Sequence, residues 1–241
     1  MSEQPVAHVV TVASATPSTQ GVAVVELFTS EGCSSCPPAD AALSRLAARA
    51  KAGALPVYPL SFHVDYWNYL GWRDRFSQAD FSARQHAYNW INPSGGTYTP
   101  QAVVNGRAES VGSNASRIDG LVSSALEAAP RAFVALEAKR STSSITVSYR
   151  VTGETADRVL NLALVEPHAE SAVASGENAG ERLAHVNVVR AFTTRPLAAS
   201  TAGAWAFEPK AELVSGAIRV VAYVESASQH DIIGASALEL D

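Results

Sequence analysis

Two adjacent prolines constrain this chain more than any other feature. Pro37 and Pro38 come directly after Cys36. Neither has a backbone N–H to donate, so inside a helix they are tolerated only in the first turn. The segment C-terminal to them is helical in spacing: Ala39, Ala42, Leu43, Leu46, Ala47 and Ala50 recur on one face, with Arg45 and Arg49 on the other, and Gly53 is a natural stop. On the N-terminal side, the β-branched apolar run Val22–Phe28 reads as a buried strand. The prolines therefore predict a strand, a turn at Gly32 and a helix beginning close to Cys36. Cys33 would lie just before that helix and point outward, and Cys36 would be tucked against it. These are the only two cysteines in the chain.

The next segments continue in the same alternating manner. Leu55–Val64 reads as a second strand whose two prolines suggest an irregular start. Asp65–Trp72 is an aromatic-rich loop, and Ser77–Asp80 resembles a capping box opening a helix to about Tyr88. Gly95–Pro100 is loop. Gln101–Gly106 is a short strand ending in an Asn-Gly turn, a partner strand lies near Glu109–Val111, and Ser113 or Asn114 caps a helix to about Ala129. Beyond Pro130 the texture changes to short alternating runs at 132–138, 144–151, 158–165, 185–193, 203–208, 217–225 and 231–239, separated by turn residues. The expected fold class is an α/β thioredoxin-like domain followed by an all-β antiparallel sandwich-like domain. The expected division is a flexible N-terminal segment (1–20), a thioredoxin-like domain carrying the Cys-x-x-Cys (21–130) and a β-sandwich-like domain (131–241).

Composition narrows the partners. Hydrophobic residues make up 47% of the 241 and charged residues only 17%, so a sizeable core is possible and a disordered chain is excluded. The net charge of −5 and the absence of any Lys/Arg stripe argue against nucleic acid or an anionic membrane. No window approaches the ~18 apolar residues of a spanning helix. Val6–Val12, with Ala13-Ser14-Ala15 after it, looks like the end of a secretory signal, but without a basic n-region. A start codon placed too late and an ordinary tail both fit.

The chemistry centres on the two thiols. A thiol attacks as its thiolate, and a helix N-terminus stabilises that anion through unpaired N–H groups and the helix dipole. Cys33 is thus the expected attacking thiol and Cys36 the resolving one. A structural disulfide is the competing reading, although so short a loop constrains little chain. Thr99-Pro100 lies just before the third strand, where in a thioredoxin-type fold a proline loop would face the dithiol and leave a backbone edge free for an extended peptide; a trans proline ending a loop is the competing reading. Thr99 and Trp67 are the expected substrate-binding residues. Trp67, Trp72 and Trp90 either line a groove or belong to the core. Glu31 would raise the thiolate pKa if close, and Arg73 and Arg75 would oppose it.

A metal site is the alternative. Two cysteines are half of a tetrahedral set, and the remaining ligands would come from His63, Asp65 or His86; soft thiolates with imidazole suit copper or zinc. The leading expectation holds no metal, with Cys33, Cys36 and His63 as the alternative set and His63 otherwise a hydrogen-bonded structural residue. Asp65 is also a candidate proton acceptor.

The segments Val25–Asp40, His63–Trp67, Leu70–Trp72 and Tyr98–Gln101, with Glu177–Gly180 and Asn187–Arg190, resemble an uncharacterised bacterial family, the domain of unknown function numbered twelve twenty-three, whose members are often described as secreted and thioredoxin-like. The resemblance implies a redox pair at Cys33 and Cys36, a cis-proline at Pro100, and a periplasmic or secreted location; a chain truly lacking a signal would be cytoplasmic. It implies no substrate.

The expected function is that of a thiol–disulfide oxidoreductase acting on protein or small-molecule thiols and disulfides, with no cofactor, no nucleic acid and no transmembrane segment. The alternatives are a copper- or zinc-binding or chaperone module and a redox-inactive interaction protein.

Overall fold

The computed structural model of the protein describes residues 8–10, 20–91, 93, 96–214 and 216–240. The secretory-signal-like stretch therefore falls largely outside the described residues. The elements run β1 (His8–Val10), β2 (Ala23–Thr29), α1 (Pro37–Ala52), β3 (Val57–His63), a 3-10 turn (Asn68–Leu70), α2 (Ala79–Ala87), β4 (Gln101–Val104), β5 (Ala108–Val111) and α3 (Ala115–Glu127). After these come β6 (Ala132–Arg140), β7 (Ile145–Gly153), β8 (Arg158–Ala172), β9 (Arg182–Pro196), β10 (Ala202–Phe207), α4 (Ala211–Val214), β11 (Ile218–Ser226) and β12 (Ile232–Leu240).

One eight-stranded mixed sheet runs through both halves of the chain in the order β12-β11-β8-β9-β3-β2-β4-β5. β2 is buried along its whole length, Glu26 included, as a mainly apolar central strand is. It pairs with β3 in parallel and with β4 antiparallel. The Asn105-Gly106 turn between β4 and β5 has positive φ at both residues (47° and 65°), the geometry that an Asn-Gly hairpin favours. β9 then joins β3 in parallel, in register at Ser61 and Val188. A second sheet, β1-β6-β7-β10, packs against β8, β11 and β12 across a core containing Val134, Leu136, Val147, Leu162, Val220 and Leu238.

The expected fold class is corrected by this arrangement. The chain is mostly β, with a few short helices, and it does not form a thioredoxin-like α/β unit followed by a separate sandwich. The reason is the β3–β9 pairing. Side-chain alternation shows that a strand has one buried face, but not which backbone edge it meets, and here a late strand completes the early sheet.

A second device ties the halves together. Arg84 of α2 is largely buried and sits 2.8 Å from Glu26 of β2 and 2.9 Å from Glu225 of β11. The rings of Phe62, Tyr88, Phe192 and Tyr223 surround its guanidinium at 5.0–5.9 Å. Tyr88 and Tyr223 both donate their hydroxyls to Glu26, and Asn161 donates to Glu225. Burial alone would lower the Arg84 pKa, but Glu26 beside it holds it well above its ordinary value. Among the described residues, no helix is long and apolar enough to cross a membrane.

Candidate functional site

β2 delivers the chain to a tight turn. Ser30 closes it from both sides: its hydroxyl accepts from the Gly32 N–H at 3.1 Å and its carbonyl from the Cys33 N–H at 3.2 Å. A Cβ at Gly32 would lie 3.1 Å from the Trp67 Cβ, so glycine lets the aromatic loop pack against this turn. Cys36 caps α1, its carbonyl accepting from the N–H groups of Ala39 and Asp40, and Pro37 occupies the first helical position.

Cys33 and Cys36 are joined in a disulfide with their Cα atoms 5.4 Å apart. The expectation that Cys33 points outward is overturned: both cysteines have 0% exposure, while Ser34 and Ser35 between them are exposed.

The Thr99–Pro100 peptide is cis. The Pro100 carbonyl accepts from the Gly112 N–H at 2.9 Å. A Cβ at Gly112 would stand 3.1 Å from the Pro100 Cβ and 3.0 Å from the Ala39 Cβ, so the proline meets the first turn of α1 at that glycine. Trp67 donates its indole N–H to the Thr99 hydroxyl at 2.7 Å. Trp67, Thr99 and Pro100 thus form a connected rim beside the disulfide. Trp72 is half-buried and Trp90 exposed.

The other singled-out residues have separate work. His63, at the end of β3, is buried with Nδ1 2.7 Å from Asp74 Oδ2. Asp65 is tied to Ser82 of α2, and His86 is exposed. Among the described residues, no group of three His, Cys, Asp or Glu side chains has the arrangement to hold a metal ion. Arg75 donates to the Glu170 carbonyl and lies over the Phe76 ring.

Under the dithiol turn lies a buried group of charges that sequence reasoning did not assemble. His185 of β9 is 2% exposed, with Nε2 3.6 Å from Glu31 and Nδ1 3.6 Å from Asp40. Burial alone would lower the His185 pKa, but Asp40 and Glu31 overrule it and push it up to about 9, so the imidazole is charged at neutral pH. Burial alone would raise the Glu31 pKa; the nearby His185 and the Trp72 indole, whose N–H donates to Glu31 Oε2 at 2.7 Å, carry it below the usual carboxylate value. Asp74 is likewise held low despite its burial, chiefly by His63. Its Oδ2 also accepts from the Glu31 N–H at 2.9 Å. Of these groups only Glu31 and Asp40 flank the disulfide in sequence, Glu31 two residues before Cys33 and Asp40 one helical turn after Cys36.

Residues 24–225 match the family described as protein of unknown function (DUF1223). The chain belongs to this family. It is similar to the crystal structure of protein AGR_C_4864 from Agrobacterium tumefaciens, with 28% identity and a TM-score of 0.62 over 92% of this chain and 96% of that one. It shares its fold with HBP35 of Porphyromonas gingivalis, at 18% identity and a TM-score of 0.61 over 94% of this chain and 77% of that one. No curated protein matches it.

In this DUF1223 chain the second half bonds to the dithiol turn. The β8–β9 loop places Asn178 against the dithiol turn, its side-chain amide donating to the carbonyls of Glu31 at 2.9 Å and Cys33 at 3.0 Å. The neighbouring Glu177 carboxylate accepts from the Ser34 N–H at 3.0 Å. Glu177 and Asn178 lie in a segment legible as part of the family resemblance, yet its partner in space was not. His185 carried no signal at all, since one histidine in an alternating strand reads as any half-buried residue.

Proposed function

We propose that this DUF1223 chain exchanges thiols and disulfides through Cys33 and Cys36. The observation that carries the reading is a disulfide at the N-terminus of α1 beside the Trp67–Thr99–Pro100 rim. In the reduced protein the Cys33 thiolate attacks one sulfur of a substrate disulfide, and the other substrate sulfur leaves as a thiolate. Cys36 then gives up its proton, attacks the Cys33 sulfur and releases the second substrate thiolate. Two electrons have passed from the dithiol to the substrate, and the reverse sequence oxidises a dithiol substrate. The positive end of the α1 dipole favours the Cys33 anion. A periplasmic or secreted location belongs to this reading, because a resting disulfide persists in an oxidising compartment.

The test is the variant Cys36→Ala, which keeps the attacking thiol and removes the resolving one. Reduced and mixed with a disulfide-containing protein, it accumulates mixed disulfides that dithiothreitol releases. Failure to capture any substrate while Cys33 still alkylates would refute the exchange reading.

A further inference from the structure

The β8–β9 loop is joined to the dithiol turn by few bonds and is complete without them. Its own frame is internal: Val173 and Glu181 pair through a 2.9 Å bond, the Gly180 N–H donates to the Val173 carbonyl at 2.8 Å, and the Glu181 N–H donates to the Asn178 carbonyl at 3.1 Å. Gly176 and Gly180 have φ of +81° and +89°, a conformation that glycine adopts at little cost. Such a self-bonded turn keeps its shape when its outward contacts are broken.

Those outward contacts are mostly side chain to backbone. Asn178 spans the Glu31 and Cys33 carbonyls, Glu177 accepts from Ser34, and Ser175 donates to the Gly71 carbonyl at 2.6 Å. Gly176 lies over Trp72, where an added Cβ would come within 3.1 Å of the Trp72 Cβ. Asn178 is buried and Glu177 is exposed. With Cys33 at 0% exposure, no substrate sulfur can approach in line while this arrangement holds.

We infer that Asn178 and Glu177 are access-determining residues: they latch the β8–β9 loop over Cys33, and the dithiol meets a bulky disulfide only when that latch opens. This deepens the exchange reading and rests on it for its role in turnover. Access itself is a property of the loop and is measured separately.

The experiment compares the wild type with Asn178→Ala and Glu177→Ala. Two rates are read: reduction of the Cys33–Cys36 disulfide by dithiothreitol, and alkylation of the reduced protein by iodoacetamide and by a polyethylene glycol maleimide of about 5 kDa, a reagent far too bulky to enter the closed site. Losing both Asn178 bonds raises the rates at least tenfold, equivalent to ~1.4 kcal/mol on the opening equilibrium, with the larger effect on the bulky reagent. Losing the more exposed Glu177 bond raises them about threefold, since such a bond is worth less than a buried one. Unchanged rates in folded Asn178→Ala overturn the latch. Should that variant not fold, Glu177→Ala decides alone, and an unchanged rate there overturns it equally. Adding Cys36→Ala to the faster variant separates the two proposals. Faster access without mixed disulfides leaves the latch standing and removes the exchange reading; capture of substrate with unaltered access does the reverse.

Discussion

Replacing His185 by Gln tests the buried charge group under the disulfide most directly. His185 is 3.6 Å from both Glu31 and Asp40, and its pKa is pushed from the ordinary 6.5 up to about 9. A histidine whose folded pKa is raised contributes stability that is fully present below the unfolded value and is lost as pH rises through the folded one. Between about pH 7 and pH 10 this linkage amounts to about 2.5 kcal/mol at 25 °C, from about 1.36 kcal/mol for each pH step over which the proton is held only by the folded state. Gln keeps a polar side chain of similar reach and removes the titration. Other groups also titrate in this range, so the quantity to read is the difference between wild type and variant, from urea unfolding at roughly pH 7, 8, 9 and 10 with the disulfide intact. The two proteins should converge as pH rises, the gap shrinking by about 2 kcal/mol or more by about pH 10. Parallel curves would mean that His185 is not a cation held between two carboxylates, and the electrostatic account of the site would fall with it.

Other perturbations probe the frame. Arg84→Met leaves Glu26 and Glu225 buried without their cation and should cost about 3–5 kcal/mol in chemical denaturation; a loss below about 1 kcal/mol contradicts the role given to that ion group. Gly112→Ala places a methyl 2.6 Å from Leu27 Cδ1 and 3.0 Å from the Ala39 Cβ. It should cost about 1–3 kcal/mol and shift the Pro100 rim, seen as a lowered Tm and slower mixed-disulfide capture in the Cys36→Ala background; a neutral effect on both would show that the close approach is not needed. The redox titration of the Cys33–Cys36 pair should give a potential in the range of exchange proteins, about −120 to −270 mV, and a value well below about −300 mV would identify a structural disulfide instead.

Local order was legible from sequence because it rests on local physics. The Pro37-Pro38 pair dictated where α1 begins, and the Asn105-Gly106 turn and the Asn114 cap, which accepts from the Arg117 N–H, form as their chemistry requires. The alternating runs after residue 130 became β6–β12, with β8 and β9 extending well beyond the expected ends as one long hairpin.

The dithiol's local setting could be read from the linear chain: a buried strand, a glycine turn, and a helix that cannot start anywhere but at Cys36. Its surroundings could not, because they arise only when distant strands meet. Long-range pairing joined β9 to β3 and so brought His185 under the turn and Asn178 over it, residues separated from Cys33 by more than half the chain. Backbone edges carry the same donors and acceptors whatever their side chains, so pairing across such a distance leaves no mark in a single sequence. The thiols are encoded locally; their exposure and their electrostatics are not.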